Sequence, residues 1–159
     1  MDPQTKKTVL RQFTYGLYVV TARSGAEAGL MTANWISQAS FEPPLLTLAA
    51  EAGSHTRALI EASGSFAVNV LSAEQRELAG QLGRTFAKHP AKAQAAAWRP
   101  GPETGSPLLE GALSWVECRV VDSLAAGDHV VYLAEVVEAG LQREGRPLTL
   151  AEAGFRYAG

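Results

Sequence analysis

A polar segment that ends in Pro43–Pro44 divides the middle of the chain, between apolar runs at residues 30–36 and 45–50. Proline cannot donate a hydrogen bond within a central strand, so residues 41–44 must form a loop and the two apolar runs are predicted to be separate strands. Small hydroxyl and amide side chains in the segment supply neutral hydrogen-bond donors and allow close approach of the backbone. Such a segment suits a ligand that has a phosphate tail and a flat ring with polar edges.

The pattern of strands favours an antiparallel fold that is mainly β with peripheral helices. Strands are predicted at residues 14–22, 30–36, 45–50, 66–71, 113–122 and 130–138, where aromatic and β-branched residues are frequent. Helices are predicted from Asp2, at residues 55–62 and at residues 72–82. Because strands and helices do not alternate regularly, an antiparallel barrel is favoured over a doubly wound parallel sheet.

The chain has 159 residues, which fits one domain over residues 1–159, and it contains no internal repeat and no dividing linker. Residues 83–107 are rich in alanine, proline and glycine and lack a clear helix or strand pattern. A connection of this length is uncommon in a compact domain unless it has a role. We therefore predict a functional or interfacial role for this segment.

Charge and composition exclude several classes of function. A formal net charge of −2 gives no basic field for nucleic acid, so no nucleic-acid partner is expected. No apolar stretch approaches the roughly 20 residues that span a bilayer, and the first residues lack the apolar core of a signal peptide, so no membrane partner is expected and the expected location is cytoplasmic. Cys118 has no second cysteine to pair with, and the histidines lack metal-ligand spacing, so no metal site is predicted.

Two short motifs could carry chemistry. In Gly53-Ser54-His55-Thr56, a helix start offers unpaired N–H groups to an anion, and two hydroxyls add donors. The alternative for Ser54 is that it simply caps the helix. In Gly127-Asp128-His129, a histidine at the start of a strand could exchange protons at neutral pH, or it could be purely structural. Asp128 is expected to fix the turn or the tautomer of the histidine.

Taken together in this order, the segment 32–44, the strand 45–50, the motif 53–56 and Gly127-Asp128-His129 resemble the flavin reductase family. The resemblance extends from about residue 16 to residue 140, with a weaker similarity at the C-terminal end. It implies an antiparallel six-stranded FMN-binding split barrel. The chain looks close to the flavin reductase-like module of some flavodiiron proteins.

The family pattern also implies where a flavin would lie. Thr32, Ala33, Asn34 and Trp35 match the segment along the ribityl chain and ring, with Met31 and Trp35 as side chains that could lean on the ring. Ser37, Gln38, Ser54, His55 and Thr56 match positions near the phosphate, and Ala49, Ala50 and Glu51 match the edge of the isoalloxazine. His129 is implied to lie near the flavin and the incoming nicotinamide, as the catalytic residue.

The resemblance implies transfer of a hydride from NADH or NADPH to bound FMN, with electrons passed on to free flavin or to an electron-acceptor protein. No Gly-x-Gly-x-x-Gly motif follows a strand, so the nicotinamide would bind without a Rossmann unit. One alternative is an FMN-holding electron carrier with little nicotinamide oxidase activity, and another is a barrel that has lost its flavin. Family members are typically homodimers, so residues 83–105 could contact a second subunit.

The chain departs from the family pattern at one position in this segment. Many members have an aromatic residue after a basic one there, whereas this chain has Lys92-Ala93. Loss of that aromatic could loosen one wall of the flavin or nicotinamide pocket. Phe86 and Trp98 are the candidates to replace it.

Overall fold

The computed structural model describes residues 1–157. Within these residues the helices are α1 at Pro3–Leu10, α2 at His55–Ser63, α3 at Arg76–Leu82, a 3-10 helix at Pro90–Gln94, and α4 at Leu150–Ala153. As predicted, a helix follows Asp2, whose carboxylate accepts a hydrogen bond from the backbone N–H of Thr5 at 2.6 Å. Gly64 ends α2 with a φ of 69°.

Seven antiparallel strands form the main sheet. In chain order they are β1 at Tyr18–Ser24, β2 at Glu27–Ala33, β3 at Ile36–Ser40, β4 at Leu45–Glu51, β5 at Ser65–Val70, β8 at Ser114–Ala126 and β9 at His129–Leu141. Their spatial order is β2-β1-β5-β8-β9-β4-β3. Two short strands, β6 at Trp98–Pro100 and β7 at Pro107–Leu109, pair with each other outside this sheet.

The mainly β fold is confirmed, but the prediction of a six-stranded barrel is wrong in strand number and in closure. The predicted strand at residues 30–36 is two strands, because β2 ends at Ala33 and β3 begins at Ile36. These two strands are the opposite edges of the sheet. A connection of only two residues requires the sheet to curl until its edges approach each other at Asn34 and Trp35. No hydrogen-bonded ladder joins the two edges among the strands described, so the barrel stays open there.

Two apolar clusters lie on either side of the curled sheet. Successive side chains of β1 point to opposite faces, so Val20 packs in one cluster and Val19 in the other. Helix α2 contributes Leu59 and Ile60 to the cluster of Val20, whereas α3 contributes Ala79 and Leu82 to the cluster of Val19. The two helices therefore cover different faces, and both lie against β2.

The segment 83–107 is ordered by a buried polar residue of the sheet. Asn69 on β5 is fully buried, and its side-chain oxygen accepts a hydrogen bond from the backbone N–H of Leu109 at 2.8 Å. Its amide nitrogen donates to the carbonyl of Pro107 at 3.3 Å. These bonds hold β7 against the sheet and fix the end of the long segment.

None of the helices within residues 1–157 combines the length and the apolar character needed to cross a bilayer.

Candidate functional site

A cavity of about 600 Å³ lies where β2 and β4 meet the start of α2, the end of α3 and the C-terminal residues 155–157. We call it the main cavity. Ten of the residues predicted from the sequence line it: Met31, Thr32, Ala33, Asn34, Ala49, Ala50, Glu51, Ser54, His55 and Thr56. Strands β2 and β4 are far apart in the spatial order of the sheet, so only its curl brings these residues together.

The four other predicted residues lie elsewhere. Trp35 and His129 line a second cavity of about 580 Å³, which shares Glu51, Gly53, Arg156 and Tyr157 with the main cavity. Ser37 and Gln38 are exposed on β3 and line neither of these two cavities. A role for them beside the phosphate stays a prediction from the family pattern.

The start of α2 forms one end of the main cavity. Ser54 caps the helix, because its hydroxyl accepts a hydrogen bond from the backbone N–H of Arg57 at 3.3 Å. The same hydroxyl donates to the sulfur of Met31 at 3.3 Å. The first N–H groups of a helix have no partner inside the helix, so those of His55 and Thr56, which this cap does not use, remain available to an anion.

His55 is the first residue of α2 and is fixed by two contacts. Its Nε2 atom lies 2.7 Å from the Glu27 carboxylate, and its ring stacks on Phe86 with centroids 3.7 Å apart and an interplanar angle of 4°. Its Nδ1 atom is buried and has no hydrogen-bond partner within residues 1–157. A buried polar atom without a partner is costly. Because Nε2 donates its hydrogen to the Glu27 carboxylate, Nδ1 is an acceptor in the neutral ring and becomes a donor only when the ring carries both hydrogens.

Thr32 and Asn34 already make tertiary hydrogen bonds. The Thr32 hydroxyl donates to the carbonyl of Ala79 on α3 at 2.5 Å. The Asn34 amide donates to the backbone carbonyl of Tyr157 at 3.3 Å. Both side chains therefore position the elements around the cavity.

A hydrogen-bonded chain connects the two cavities. The Asp128 carboxylate lies 2.6 Å from Nδ1 of His129, and Nε2 of His129 lies 3.0 Å from the hydroxyl of Tyr157. That hydroxyl donates to the Glu51 carboxylate at 2.5 Å. The hydrogen bond to His129 lowers the pKa of Asp128, while burial and the hydrogen bond to Glu51 raise the pKa of Tyr157.

Trp35 packs against the hydrogen-bonded side chains of His129 and Tyr157. Its ring centroid is 4.6 Å from that of His129 and 5.4 Å from that of Tyr157. The His129 side chain is 10% exposed, which leaves it within reach of a ligand without full solvation.

Three features of the main cavity were missed or left open by the sequence. Phe86, one of the two candidate replacement aromatics, lines the cavity, whereas Trp98 packs in the cluster of Val19. Lys92 also lines it and donates to the carbonyls of Leu82 and Arg84, and burial lowers its pKa. Residues 155–157 also line the cavity and were not predicted. The weaker similarity to the family at the C-terminal end was the one feature of the sequence that pointed to them.

The residues present fit a flavin. Strands β2 and β4, brought together by the curl of the sheet, line the cavity with small side chains at Ala33, Ala49 and Ala50, where a planar ring can approach the backbone closely. The helix start lies at the same cavity and suits a phosphate, and Nδ1 of His55 can donate to that phosphate when the ring carries both hydrogens. This arrangement, in a curled antiparallel sheet, suits a phosphorylated cofactor with a flat ring.

Comparison with known proteins places this site in a family. The model of the flavin reductase like domain matches residues 10–159. The reductase subunit HsaB of a flavin-dependent monooxygenase from Mycobacterium tuberculosis is 35% identical over 136 residues, covering 86% of this chain and 71% of that protein. The chain belongs to the flavin reductase-like family, and nicotinamide-dependent reduction of flavin is its activity.

Two further comparisons agree with the predicted resemblance. The chain is 32% identical over 139 residues to diflavin flavoprotein A 1 of a Synechocystis species, covering 86% of this chain and 24% of that longer protein, which confirms the likeness to a module of flavodiiron proteins. The structure of the NADH:FAD oxidoreductase SgcE6 of Streptomyces globisporus, in complex with NAD and FAD fragments, has a TM-score of 0.85 and 29% identity. That comparison covers 99% of this chain and 94% of the other.

Proposed function

We propose that the chain binds FMN in the main cavity, reduces it with NADH or NADPH approaching from the second cavity, and passes electrons to free flavin or to an acceptor protein. The observation that carries this proposal is the meeting of the two cavities at Glu51, Gly53, Arg156 and Tyr157, with His129 on one side and the start of α2 on the other. The flavin supplies the redox chemistry when bound. The chain binds and orients the cofactor, excludes water and manages protons.

The proposed preference for FMN over FAD rests on the anion seat at the start of α2, which suits one phosphate. The seat combines the first N–H groups of the helix, the positive end of its dipole and Nδ1 of His55, which donates when the ring carries both hydrogens. The relative SgcE6 is named for FAD, so the preference needs a direct test. Titration of flavin fluorescence should give a Kd for FMN at least about tenfold lower than for riboflavin, which is the scale of one hydrogen bond to a charged group. Tighter binding of FAD than of FMN would overturn the preference.

His55→Ala separates two roles of this residue. If His55 contacts the phosphate, the variant should lose most of the preference for FMN over riboflavin. If it only supports Phe86 in the wall, affinity for both flavins should fall by the same factor. His89→Ala is the matched control, since His89 is exposed and lines neither cavity.

His129 is proposed to contact the nicotinamide or to move a proton at its ring nitrogen. We expect His129→Ala to leave FMN bound and to slow its reduction by NADH about tenfold to a hundredfold, as measured by anaerobic rapid mixing. An unchanged rate with FMN still bound would make His129 a residue of the turn only. Absence of reduction in the parent protein, with flavin bound, would favour the electron-carrier alternative.

A homodimer is also proposed. Large apolar side chains are unusually exposed on the sheet and its turns, with Phe41 at 91%, Leu124 at 67% and Leu141 at 92% exposure. Burial against a second copy would remove this surface from water. Sedimentation should give a dimer, and Leu124→Glu should weaken it; a monomer at micromolar concentration would contradict the proposal.

A cytoplasmic location is proposed as well, consistent with nicotinamide as donor and a lone buried cysteine.

A further inference from the structure

Within residues 1–157, the side chain of His129 has two side-chain hydrogen-bond partners, the Asp128 carboxylate and the hydroxyl of Tyr157. This hydroxyl lies 3.0 Å from Nε2 of His129 and donates to the Glu51 carboxylate at 2.5 Å. Glu51 and Tyr157 line both cavities, whereas His129 lines the second. The hydroxyl is therefore the bridge between the imidazole and the wall of the main cavity.

The other partner of His129 gives a weaker hold. Asp128 is adjacent in sequence, and its side chain is 93% exposed, so its attraction to the imidazole acts in water of high dielectric constant. A hydrogen bond between neighbouring residues can also move with the turn that carries both. The bond to Tyr157 instead ties the ring to β4, because the Tyr157 hydroxyl is in turn bonded to Glu51. Glu51 is the last residue of β4 and pairs with His129, the first residue of β9.

The hydrogen-bonded series Asp128–His129–Tyr157–Glu51 shares its hydrogens, so its bonds depend on one another. Its three hydrogen bonds, Asp128 to His129, His129 to Tyr157 and Tyr157 to Glu51, require three hydrogens. A neutral imidazole and a tyrosine hydroxyl supply two, so the unit holds one further proton when all three bonds are made. Removal of the Tyr157 hydroxyl deletes two of the three bonds at once.

We propose that Tyr157 is a positioning residue for His129: its hydroxyl, anchored on Glu51, fixes the imidazole ring and its hydrogen positions beside the site of flavin reduction. This inference rests on the proposed role of His129. Raised by burial and by the bond to Glu51, the pKa of Tyr157 keeps the hydroxyl protonated, as this role requires. Trp35, in contact with both rings, restricts the imidazole from the other side.

Tyr157→Phe is the direct test, because it removes the hydroxyl and keeps the ring. Tyr132→Phe is the matched control: the Tyr132 hydroxyl donates to the Glu61 carboxylate at 2.8 Å, the same type of bond at a tyrosine that lines neither cavity. The first readout needs no activity. In ligand-free protein, long-range proton–nitrogen correlation spectra report the hydrogens on each imidazole nitrogen, with the His129 signals assigned from their loss in His129→Ala. We expect the His129 pattern to change in Tyr157→Phe and to stay unchanged in Tyr132→Phe.

The second readout is a double-mutant cycle on the rate of flavin reduction at saturating FMN. Tyr157→Phe should lower the rate about tenfold in the parent and less than twofold in the His129→Ala background. Equal effects in both backgrounds would overturn the proposal, as would an unchanged spectrum. If His129→Ala alone does not slow reduction, the proposed role of His129 fails, while the spectrum still decides whether Tyr157 positions the ring.

Discussion

Removal of the Glu117 side chain tests how the long segment 83–107 is anchored. Glu117 on β8 is fully buried, and its carboxylate accepts hydrogen bonds from the backbone N–H of Glu103 at 3.1 Å, from the backbone N–H of Thr104 at 2.8 Å and from the Thr104 hydroxyl at 2.7 Å. None of the salt bridges of the described residues involves the Glu117 carboxylate, and Arg119, two residues further along β8, pairs with Glu103. Three donors of the segment thus depend on one acceptor group.

The magnitude follows from those three bonds. Hydrogen bonds to a charged group contribute about 1.5–3 kcal/mol each, a gross total of roughly 5–9 kcal/mol. Desolvation of a carboxylate offsets several kcal/mol of this gain. Glu117→Ala should therefore lower the free energy of unfolding by about 3 kcal/mol, and Glu117→Gln by about 1–2 kcal/mol, because an amide keeps one acceptor and turns a donor towards an N–H group.

Urea unfolding followed by tryptophan fluorescence measures both effects, since Trp98 lies within the segment on β6 and Trp115 lies on β8, the strand of Glu117. Glu110→Ala is the control: Glu110 is exposed, and its removal should change the free energy of unfolding by less than about 0.5 kcal/mol. A Glu117→Ala protein as stable as the control would show that the carboxylate does not anchor the segment.

Three further outcomes are expected. Phe86→Ala should weaken FMN binding about tenfold by removing the ring that stacks on His55, whereas Trp98→Phe, outside the main cavity, should not; equal affinities in parent and variant would refute a wall role. Gly29→Ala should destabilise the protein by about 1–3 kcal/mol in thermal unfolding, because the added Cβ would lie 2.9 Å from the Thr56 hydroxyl and 3.1 Å from its Cα and would displace the start of α2; an unshifted Tm would contradict this. Burial and the neighbouring Glu117 raise the pKa of Cys118 to about 12 from an ordinary 9.0, so the thiol should resist labelling by a thiol reagent at pH 8 until the protein unfolds. Because this pKa is raised on folding, the associated stability is complete below about pH 9 and is lost as pH rises towards 12; rapid labelling of the folded protein would refute the burial argument.

Local sequence was sufficient for the elements that have local causes. Asp2 before Pro3, Ser54 before α2 and Gly64 after it act within one helical turn, so their residue types predict helix ends directly. Pro43–Pro44 likewise excluded a continuous strand, and β3 and β4 are separate as expected. The order of the motifs predicted the family, and ten of the predicted site residues do line one cavity.

The tertiary structure decided what depends on the curl of the sheet. Only Asn34 and Trp35 separate β2 from β3. Nothing in these two residue types shows that β2 and β3 become opposite edges of a seven-stranded sheet. The same curl directs Trp35 and His129 to the second cavity and leaves Ser37 and Gln38 on an exposed strand.

Hydrogen-bond partners that are distant in sequence could not be predicted from the sequence either. Tyr157 meets Glu51 across 106 positions and His129 across 28, and both contacts depend on where the C-terminal residues lie after α4. Glu117 and its donors show the same limit, because a buried carboxylate within a strand looks like an exposed one until its partners are placed. Residue types and local spacing determined the helix ends, the turns and the family of this chain; the curl of the sheet and long-range hydrogen bonds determined which polar side chains surround the site, because such contacts join groups that the sequence keeps apart.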